Sequence, residues 1–239
     1  MVSIKSNKNY INSYLNLKEK KFKVRYHDVE LHNILKKLIT HKKQNILDLG
    51  CGNGGSTIYL QKKFPQNYFY GIDYKKKIFI KKKNKYPIFI NYNLLKNIKL
   101  DLKFDIIYSK AVIQTLPEKQ LNKVFSNVNK MLKKDGIFII FDCFHNFKEY
   151  EIFNIEYIRN EKSKNPLKKF NFFYLSKKNL KQRLIKSKFK NINFYDFFLN
   201  FEVRKKNETS QTLRLKNNRI LSLLGPIIQP WCFVISKKK

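Results

Sequence analysis

A cluster of glycines follows a short apolar segment that ends in an acid, in the stretch NILDLGCGNGGST at residues 45–57. Four of the seven glycines of the chain lie here, at Gly50, Gly52, Gly54 and Gly55. Glycines let the backbone turn tightly and let a ligand approach the main chain without meeting a Cβ atom. An amphipathic segment then opens at Ser56, which predicts a helix whose first N–H groups point at such a ligand. The stretch therefore predicts a strand, a ligand-binding turn and a helix.

Two glycine patterns fit this turn, and the acid that precedes it distinguishes between them. Gly50, Gly52 and Gly55 match the dinucleotide pattern G-x-G-x-x-G, whereas Asp48 and the glycines at 50, 52 and 54 match D-x-G-x-G-x-G. The Asp48 carboxylate would repel a pyrophosphate, and it would attract a ligand that carries an ammonium or sulfonium group. Asp73 ends the next apolar segment, where an acid can accept hydrogen bonds from ribose hydroxyls. Under either pattern, Asp73 therefore predicts that the bound ligand contains a nucleoside.

Strand and helix signals alternate along the chain and predict the sheet that positions this turn. Strands are predicted at 45–49, 67–73, 87–91, 104–109, 137–142, 189–198 and 231–236. Helices are predicted at 27–40, 56–64, 75–83 and 118–133, and Ser176 is the predicted cap of another helix. Because such alternation implies right-handed crossovers, we expect an α/β fold: a doubly wound, mostly parallel, seven-stranded Rossmann-like sheet with helices on both faces.

Three segments lie outside the alternation and predict a lid and two insertions. Residues 1–44 are expected to form an N-terminal arm with helices, where Tyr10 and Tyr14 either close over the ligand or simply pack. The main domain is predicted over residues 45–239. Its insertions are expected at 143–175, an irregular segment placed where a substrate cap would sit, and at 201–229.

Two details of the carboxyl-terminal region follow from its apolar residues and its lysines. The spacing of Leu213, Ile220 and Leu223 suggests a short helix within the second insertion. The lysine tail at 237–239 is expected to fray.

The chain of 239 residues has a formal net charge of +34, from 51 Lys and Arg against 17 Asp and Glu. Such a charge attracts polyanions, so opportunistic binding of RNA is expected. Only six of the basic residues are Arg, the residue that holds phosphate with a bidentate fork, and lysines occur along the whole chain. Compositional bias is therefore favoured over a dedicated RNA surface.

Other features of the composition predict a cytoplasmic protein. No uninterrupted apolar run reaches the roughly 18 residues of a membrane span, and the start MVSIKSNKNY lacks an apolar signal segment. Cys51, Cys143 and Cys232 lie far apart and form neither a disulfide framework nor a CxxC motif. We therefore expect small, partly buried thiols in a reducing compartment and no metal site.

Several motifs of residues 45–142 resemble those of the class I S-adenosylmethionine-dependent methyltransferases. NILDLGCGNGG and YGIDY are similar to the first two motifs of that family, and FDIIYSKAVIQTLP resembles its fourth-strand motif. LNKVFSNVNKMLKKDGIFIIFD resembles its next helix, Asp-Gly turn and fifth strand. The later stretch at 172–198 is similar to the branch of the family that acts on small molecules.

The resemblance implies S-adenosyl-L-methionine as the cofactor and assigns residues to it. The glycine loop would wrap the methionine portion, through Asp48, Leu49, Gly50, Cys51, Gly52 and Gly54. Asp73 would hold the ribose, and Tyr74 would pack on the adenine. Where the family usually has an Asp near the adenine amino group, this chain has Asn93 followed by Leu94, and an Asn oxygen can still accept from that group. Ser109 would contact the amino-acid end of the cofactor.

Candidates for the acceptor side lie at the ends of the strands that face the cofactor. Because a sulfonium is already activated, a general base helps only when the acceptor must lose a proton. His145, three residues beyond the predicted fifth strand, is the candidate base, and a structural histidine is the alternative. Gln114 and Thr115 either line the pocket or form a polar turn.

These observations predict a methyltransferase that acts on an O or N atom of a small molecule. Strand four ends in YSKAV rather than in an Asn/Asp-Pro-Pro-aromatic motif, which disfavours methylation of nucleobase amino groups. An enzyme for RNA or another macromolecule, and a non-catalytic domain of the same fold, remain as alternatives.

Overall fold

The fold is that of a computed structural model of the chain. It describes residues 24–41, 43–74, 87–96, 100–147, 151–159, 168–197, 210–214, 220–224, 227–228 and 231–239. Tyr10 and Tyr14 and the helix predicted at 75–83 lie outside the described residues.

Helices and strands alternate through the first half of the described residues. The helices are α1 (Tyr26–Leu38), α2 (Gly55–Lys63), α3 (Glu118–Met131) and α4 (Lys177–Lys186). The first strands are β1 (Asn45–Leu49), β2 (Tyr68–Asp73), β3 (Ile88–Asn91), β4 (Phe104–Lys110), β5 (Leu132–His145), β6 (Ile152–Arg159) and β7 (Lys168–Ser176). The later strands are β8 (Phe189–Asp196), β9 (Ser210–Arg214), β10 (Ile220–Leu224), β11 (Ile227–Ile228) and β12 (Trp231–Lys238).

The main sheet has the strand order β3-β2-β1-β4-β5-β12-β8. Strands β1 to β5 pair in parallel, whereas β12 runs antiparallel to both β5 and β8. The chain order reverses at β1 and β4, and ligands of such sheets bind outside the carboxyl ends of the strands at this point. The prediction of a mostly parallel α/β sheet is confirmed, but the sheet has nine strands because β6 and β7 extend it.

Helices cover the sheet on both faces, as predicted. Leu31 and Leu35 of α1 pack with Ile46 and Ile106 on one face, and Leu60 of α2 belongs to the same apolar cluster. On the other face a larger cluster joins α3 and α4 to the opposite side of the same strands, with Leu121, Val124, Phe125, Leu180 and Leu184 among its buried residues.

Both segments that were predicted as insertions are, in their described residues, more regular than the sequence indicated. The segment at 143–175 contains the antiparallel hairpin β6–β7, and β5 continues to His145 instead of ending at residue 142. The second segment contains strands β9, β10 and β11, so the short helix inferred from Leu213, Ile220 and Leu223 is wrong. Short apolar segments of this kind fit the spacing of a helix and of a strand equally well. Here the antiparallel pairing of β9 with β10 favours strands.

Lysines close the carboxyl end of α3, where the last carbonyl groups have no partner within the helix. The ammonium of Lys238 donates to the carbonyls of Asn129 and Leu132, at 2.7 and 2.8 Å. Lys103 donates to the carbonyl of Lys130 at 2.7 Å. The main-chain N–H of Lys239 also donates to Lys188, so the expected fraying of the tail is wrong.

Replacing Lys238 with Met is expected to lower the free energy of unfolding by about 1 kcal/mol, because two hydrogen bonds to helix carbonyls are lost. Urea denaturation of the variant and the wild type measures this change. Lys239→Met is the matched control, since the side chain of Lys239 is exposed. Equal losses in the two variants would contradict the role given to Lys238.

Among the described residues, no helix is both long enough and apolar enough to span a membrane.

Candidate functional site

The glycine turn connects the carboxyl end of β1 to the start of α2. The N–H groups of Gly50 and Cys51 donate to the Ile72 carbonyl of β2, at 2.8 and 3.0 Å. The N–H of Gly54 donates to the Cys51 carbonyl at 2.9 Å, which closes the loop. These bonds hold the turn against the end of the neighbouring strand.

Two glycines of the turn are required for different reasons. Gly52 has a φ of +57°, and a Cβ added there would meet nothing within 4 Å, so open space borders its backbone. Gly54 has a φ of +79°, and a Cβ there would lie 2.4 Å from Cζ of Phe89. Gly52 thus gives a ligand access to the main chain, whereas Gly54 lets the turn pack on β3.

The acid at the end of β2 is bonded directly to this turn. The N–H of Gly52 donates to Oδ2 of Asp73 at 2.9 Å. Asp73 is only 8% exposed, and it lies beside the open space at Gly52. The structure therefore brings together the two residues that the sequence assigned to the methionine and ribose portions of a nucleoside cofactor.

Asp48 lies behind the turn, on the face of the sheet that α1 and α2 cover. Its Oδ2 accepts a hydrogen bond from the Thr57 hydroxyl at 2.7 Å. Burial raises the pKa of Asp48 to about 6, although the bond from Thr57 and the positive charge of Lys110 act in the opposite direction. A carboxylate with this pKa is mostly ionised at neutral pH. It sets a negative charge at the strand end, and its direct contact with a ligand remains a prediction.

A second buried carboxylate, which sequence reasoning missed, joins three elements of the same face. Asp28 of α1 is completely buried, pairs with Lys110 at the end of β4, and accepts from the Ser56 hydroxyl at 3.1 Å. Burial acts to raise the pKa of Asp28, but the Lys110 ammonium, the Arg25 N–H and His27 together hold that pKa below its ordinary value. No local pattern pointed to this contact, because Asp28 and Lys110 are far apart in the chain.

The residues assigned to the adenine side lie directly after β2 and in the loop after β3. Tyr74 is 37% exposed, and burial together with the charge of Asp73 raises the pKa of its hydroxyl. The side-chain oxygen of Asn93 accepts from the N–H of Leu95 at 2.9 Å. The Leu94 carbonyl accepts from Asn127 of α3 at 3.0 Å. An amide oxygen has a second lone pair, so this bond leaves Asn93 able to accept from an adenine amino group.

Ser109 and the turn after β4 carry polar groups into the same edge of the sheet. Ser109 pairs in register with Leu49 of β1, and its hydroxyl is buried without a hydrogen-bond partner among the described residues. Asp142 of β5 accepts from the N–H groups of Ile113 and Gln114, at 2.8 and 3.4 Å, and so holds the short helical turn at 113–115. Burial raises the pKa of Asp142 to about 7, although these N–H groups act to lower it.

His145 is the last residue of β5 and is 3% exposed. It pairs in register with Ser176 of β7, so the β6–β7 hairpin lies beside it. Neither ring nitrogen has a hydrogen bond of acceptable geometry among the described residues. Burial lowers the pKa of His145, and the main chain of Tyr174 and the charge of Glu151 offset this only in part. The imidazole is therefore neutral at pH 7 and can accept a proton.

The three cysteines are free, as expected, and all of them are buried rather than partly buried. Burial raises the pKa of the Cys51 thiol, with the charges of Asp48 and Asp73 adding to the effect. A thiol of this kind is not a nucleophile at neutral pH. Cys51 therefore contributes to the turn as a small apolar side chain.

Comparisons with known proteins agree with this arrangement. Residues 40–169 match the family described as methyltransferase domain. An uncharacterised methyltransferase of Synechocystis is 28% identical over 123 residues, which cover 49% of this chain and 54% of that protein. The match therefore spans about half the length of this curated relative.

Solved structures show the same fold at low sequence identity. The glycopeptide N-methyltransferase MtfA complexed with S-adenosyl-L-methionine has a TM-score of 0.57 and 14% identity, over 89% of this chain and 87% of that one. The magnesium protoporphyrin IX methyltransferase ChlM from Synechocystis, with the same cofactor bound, has a TM-score of 0.56 and 12% identity, over 98% and 97%. The chain thus belongs to the methyltransferase domain family, within the class I S-adenosylmethionine-dependent methyltransferases.

Proposed function

We propose that the protein transfers a methyl group from S-adenosyl-L-methionine to an O or N atom of a small molecule. The observation that carries this proposal is the bond between Gly52 and Asp73 beside open space. It supplies an acid for ribose hydroxyls and an unobstructed main chain for the methionine portion. Solved methyltransferases of the same fold, among them a glycopeptide N-methyltransferase and a porphyrin methyltransferase, support the choice of a small molecule.

The other residues of the turn, and those of the neighbouring strand ends, position the cofactor and set the charge around it. Bound there, the cofactor supplies an activated methyl group on a sulfonium. The ionised Asp48, behind the loop that includes Leu49 and Cys51, favours a cationic ligand over a pyrophosphate. Ser109 offers a buried hydroxyl to the amino-acid end, and Tyr74 with Asn93 and Leu94 borders the adenine.

On the acceptor side we assign the role of general base to His145. Its neutral ring is buried beside the β6–β7 hairpin and directs no nitrogen into a well-formed hydrogen bond of the described residues. A neutral imidazole can take the proton that a hydroxyl or ammonium acceptor must lose. The transfer needs no nucleophilic residue of the protein, because the acceptor attacks the methyl group directly.

Calorimetric titration of the wild type tests the proposal. We expect S-adenosylmethionine and S-adenosylhomocysteine to bind at micromolar concentrations, and NAD and ATP to bind at least 10-fold more weakly because of their phosphates. The titrations require at least 0.3 M salt, which screens nonspecific attraction to the basic surface. Absence of binding by both adenosyl ligands, or preference for NAD, would overturn the proposed cofactor.

The charge of +34 supports RNA as a second candidate acceptor. Radiolabelled methyl transfer to total RNA that persists at high salt would favour it over a small molecule. The three free, buried cysteines support the expectation of a cytoplasmic location.

A further inference from the structure

Three charged side chains lie together behind the glycine turn, on the face of the sheet that α1 and α2 cover. Asp48 follows Ile46 by two residues on β1, and Lys110 follows Tyr108 by two residues on β4. Ile46 and Tyr108 belong to the apolar cluster of this face, and side chains two residues apart in a strand share a face. Asp28 reaches the same place from α1 and pairs with Lys110. Asp28, Asp48 and Lys110 thus form one charge cluster.

Both carboxylates of the charge cluster are bonded to the first turn of α2, which directly follows the glycine turn. The Ser56 hydroxyl donates to Oδ1 of Asp28 at 3.1 Å. The hydroxyl of the next residue, Thr57, donates to Oδ2 of Asp48 at 2.7 Å. These bonds place the charge cluster against the part of the turn that is assigned to the methionine portion of the cofactor.

Lys110 is the positive member of the charge cluster and acts on both carboxylates. Its ammonium donates to Asp28, and its charge also acts to lower the pKa of Asp48. Its side chain is 18% exposed, and it directly follows Ser109, the residue assigned to the amino-acid end of the cofactor. A positive charge at this position repels a sulfonium unless a carboxylate neutralises it.

The neighbouring basic residues add little to this charge balance. Burial, together with the charge of Lys110, lowers the pKa of His27 to about 4, so the ring of His27 is neutral at pH 7. Arg25 is exposed, and salt therefore screens its guanidinium. With Asp28 and Asp48 ionised, two negative charges face one positive charge, and the charge cluster is negative overall. Loss of the charge of Asp28 alone would make it neutral.

We propose that Asp28 is a specificity-determining residue, which neutralises Lys110 so that the site prefers the sulfonium of S-adenosylmethionine to the neutral thioether of S-adenosylhomocysteine. The inference rests on the proposed function and concerns the discrimination of cofactor from product at the same site. The two ligands share the nucleoside, the ammonium and the carboxylate, and they differ only in the methyl group and the charge on sulfur. Asp28 acts on that charge through Lys110, and the product leaves more readily than the cofactor.

Calorimetric titration of the wild type and of Asp28→Asn, at 0.3 M salt, tests this role. The ligands are S-adenosylmethionine, S-adenosylhomocysteine and sinefungin, which carries an ammonium group in place of the methylated sulfonium. We expect the ratio of the affinity for S-adenosylmethionine to that for S-adenosylhomocysteine to fall about 5-fold or more in Asp28→Asn. The affinity for sinefungin should fall with that for S-adenosylmethionine. A unit charge about 10 Å away accounts for such a change at an effective dielectric constant of about 20.

Two further variants separate the effect of charge from that of structure. Asp28→Asn combined with Lys110→Met removes both charges of the pair, so its affinity ratio should return to that of the wild type. Lys110→Met alone should not lower the ratio, because no ammonium then repels the sulfonium. Glu30→Gln is the matched control on the same helix, since the Glu30 carboxylate accepts from Asn33 at 3.4 Å, and it should keep the wild-type ratio.

The outcomes distinguish this inference from the proposed function. If neither S-adenosylmethionine nor S-adenosylhomocysteine binds the wild type, the proposed function itself fails. If both bind and Asp28→Asn weakens them equally, Asp28 has a structural role only and the inference is overturned. A double variant that keeps the lowered ratio of Asp28→Asn would also overturn it. Asp28→Ser, a second neutral variant, should show the same fall in the ratio and replaces Asp28→Asn if circular dichroism shows that the latter is unfolded.

Discussion

Replacing Asp73 with Ala is expected to lower the affinity for S-adenosylmethionine by about 100-fold or more. A carboxylate that accepts bonds from ribose hydroxyls contributes roughly 1.5–3 kcal/mol per bond, and each 1.4 kcal/mol is a factor of about ten in affinity. The variant also loses the acceptor of the Gly52 N–H, so the turn is held less firmly. Isothermal titration calorimetry measures the change directly.

The control for this experiment is Asp101→Ala, which removes an equal charge from an exposed position. Its affinity should equal that of the wild type, since screening leaves little effect of a distant surface charge. Circular dichroism of both variants confirms that the fold is retained. Equal affinity in Asp73→Ala and the wild type would contradict the assignment of Asp73 to the cofactor.

The second large effect concerns stability and pH, and it arises at Asp142. Its pKa in the folded protein is about 7, against an ordinary value of 3.8. Because folding raises the pKa of this acid, the contribution of Asp142 to the free energy of unfolding is fully present below pH 3.8. It is lost as the pH rises through 7. With about 1.4 kcal/mol for each unit of pKa, the loss amounts to roughly 4 kcal/mol.

Asp142→Asn removes this ionisation while it keeps a side-chain oxygen for the N–H groups of Ile113 and Gln114. We expect the free energy of unfolding of the variant, relative to the wild type, to rise by up to roughly 4 kcal/mol between pH 4 and pH 8. Urea denaturation at several pH values measures it. The free energy of unfolding of Asp101→Asn should change with pH as that of the wild type does. If the difference in this free energy between Asp142→Asn and the wild type does not change with pH, the buried charge at Asp142 is refuted.

Local patterns predicted the parts of the fold that depend on neighbouring residues. The strand, glycine turn and helix at 45–63 follow from glycine spacing and apolar periodicity, and the Ser176 cap follows from one hydroxyl that accepts from the N–H of Asn179. The hairpin β6–β7 was not predicted, because charged residues interrupt its aromatic ones and the pairing between its strands is not visible in either strand alone.

The candidate site likewise contains residues that the sequence predicted and residues that it did not. Gly52 and Asp73 were predicted to act together, since the carboxyl ends of neighbouring parallel strands meet at one edge. The partners Thr57 and Asp142 were missed as contributors, although Thr57 lies at the start of the predicted helix and Asp142 ends an apolar segment. Asp28 gave no signal at all, because its importance depends on Lys110 and Ser56, which only the folded chain brings to it.

The contact of Asp28 with both Lys110 and Ser56 has a thermodynamic consequence. If α1 moved away from the sheet, the Lys110 ammonium would lose its buried partner, and the start of α2 would lose a bond beside the glycine turn. Detachment of the first helix and loosening of the glycine turn are therefore energetically coupled. By linkage, a ligand that binds only the formed turn also holds the amino-terminal helix in place.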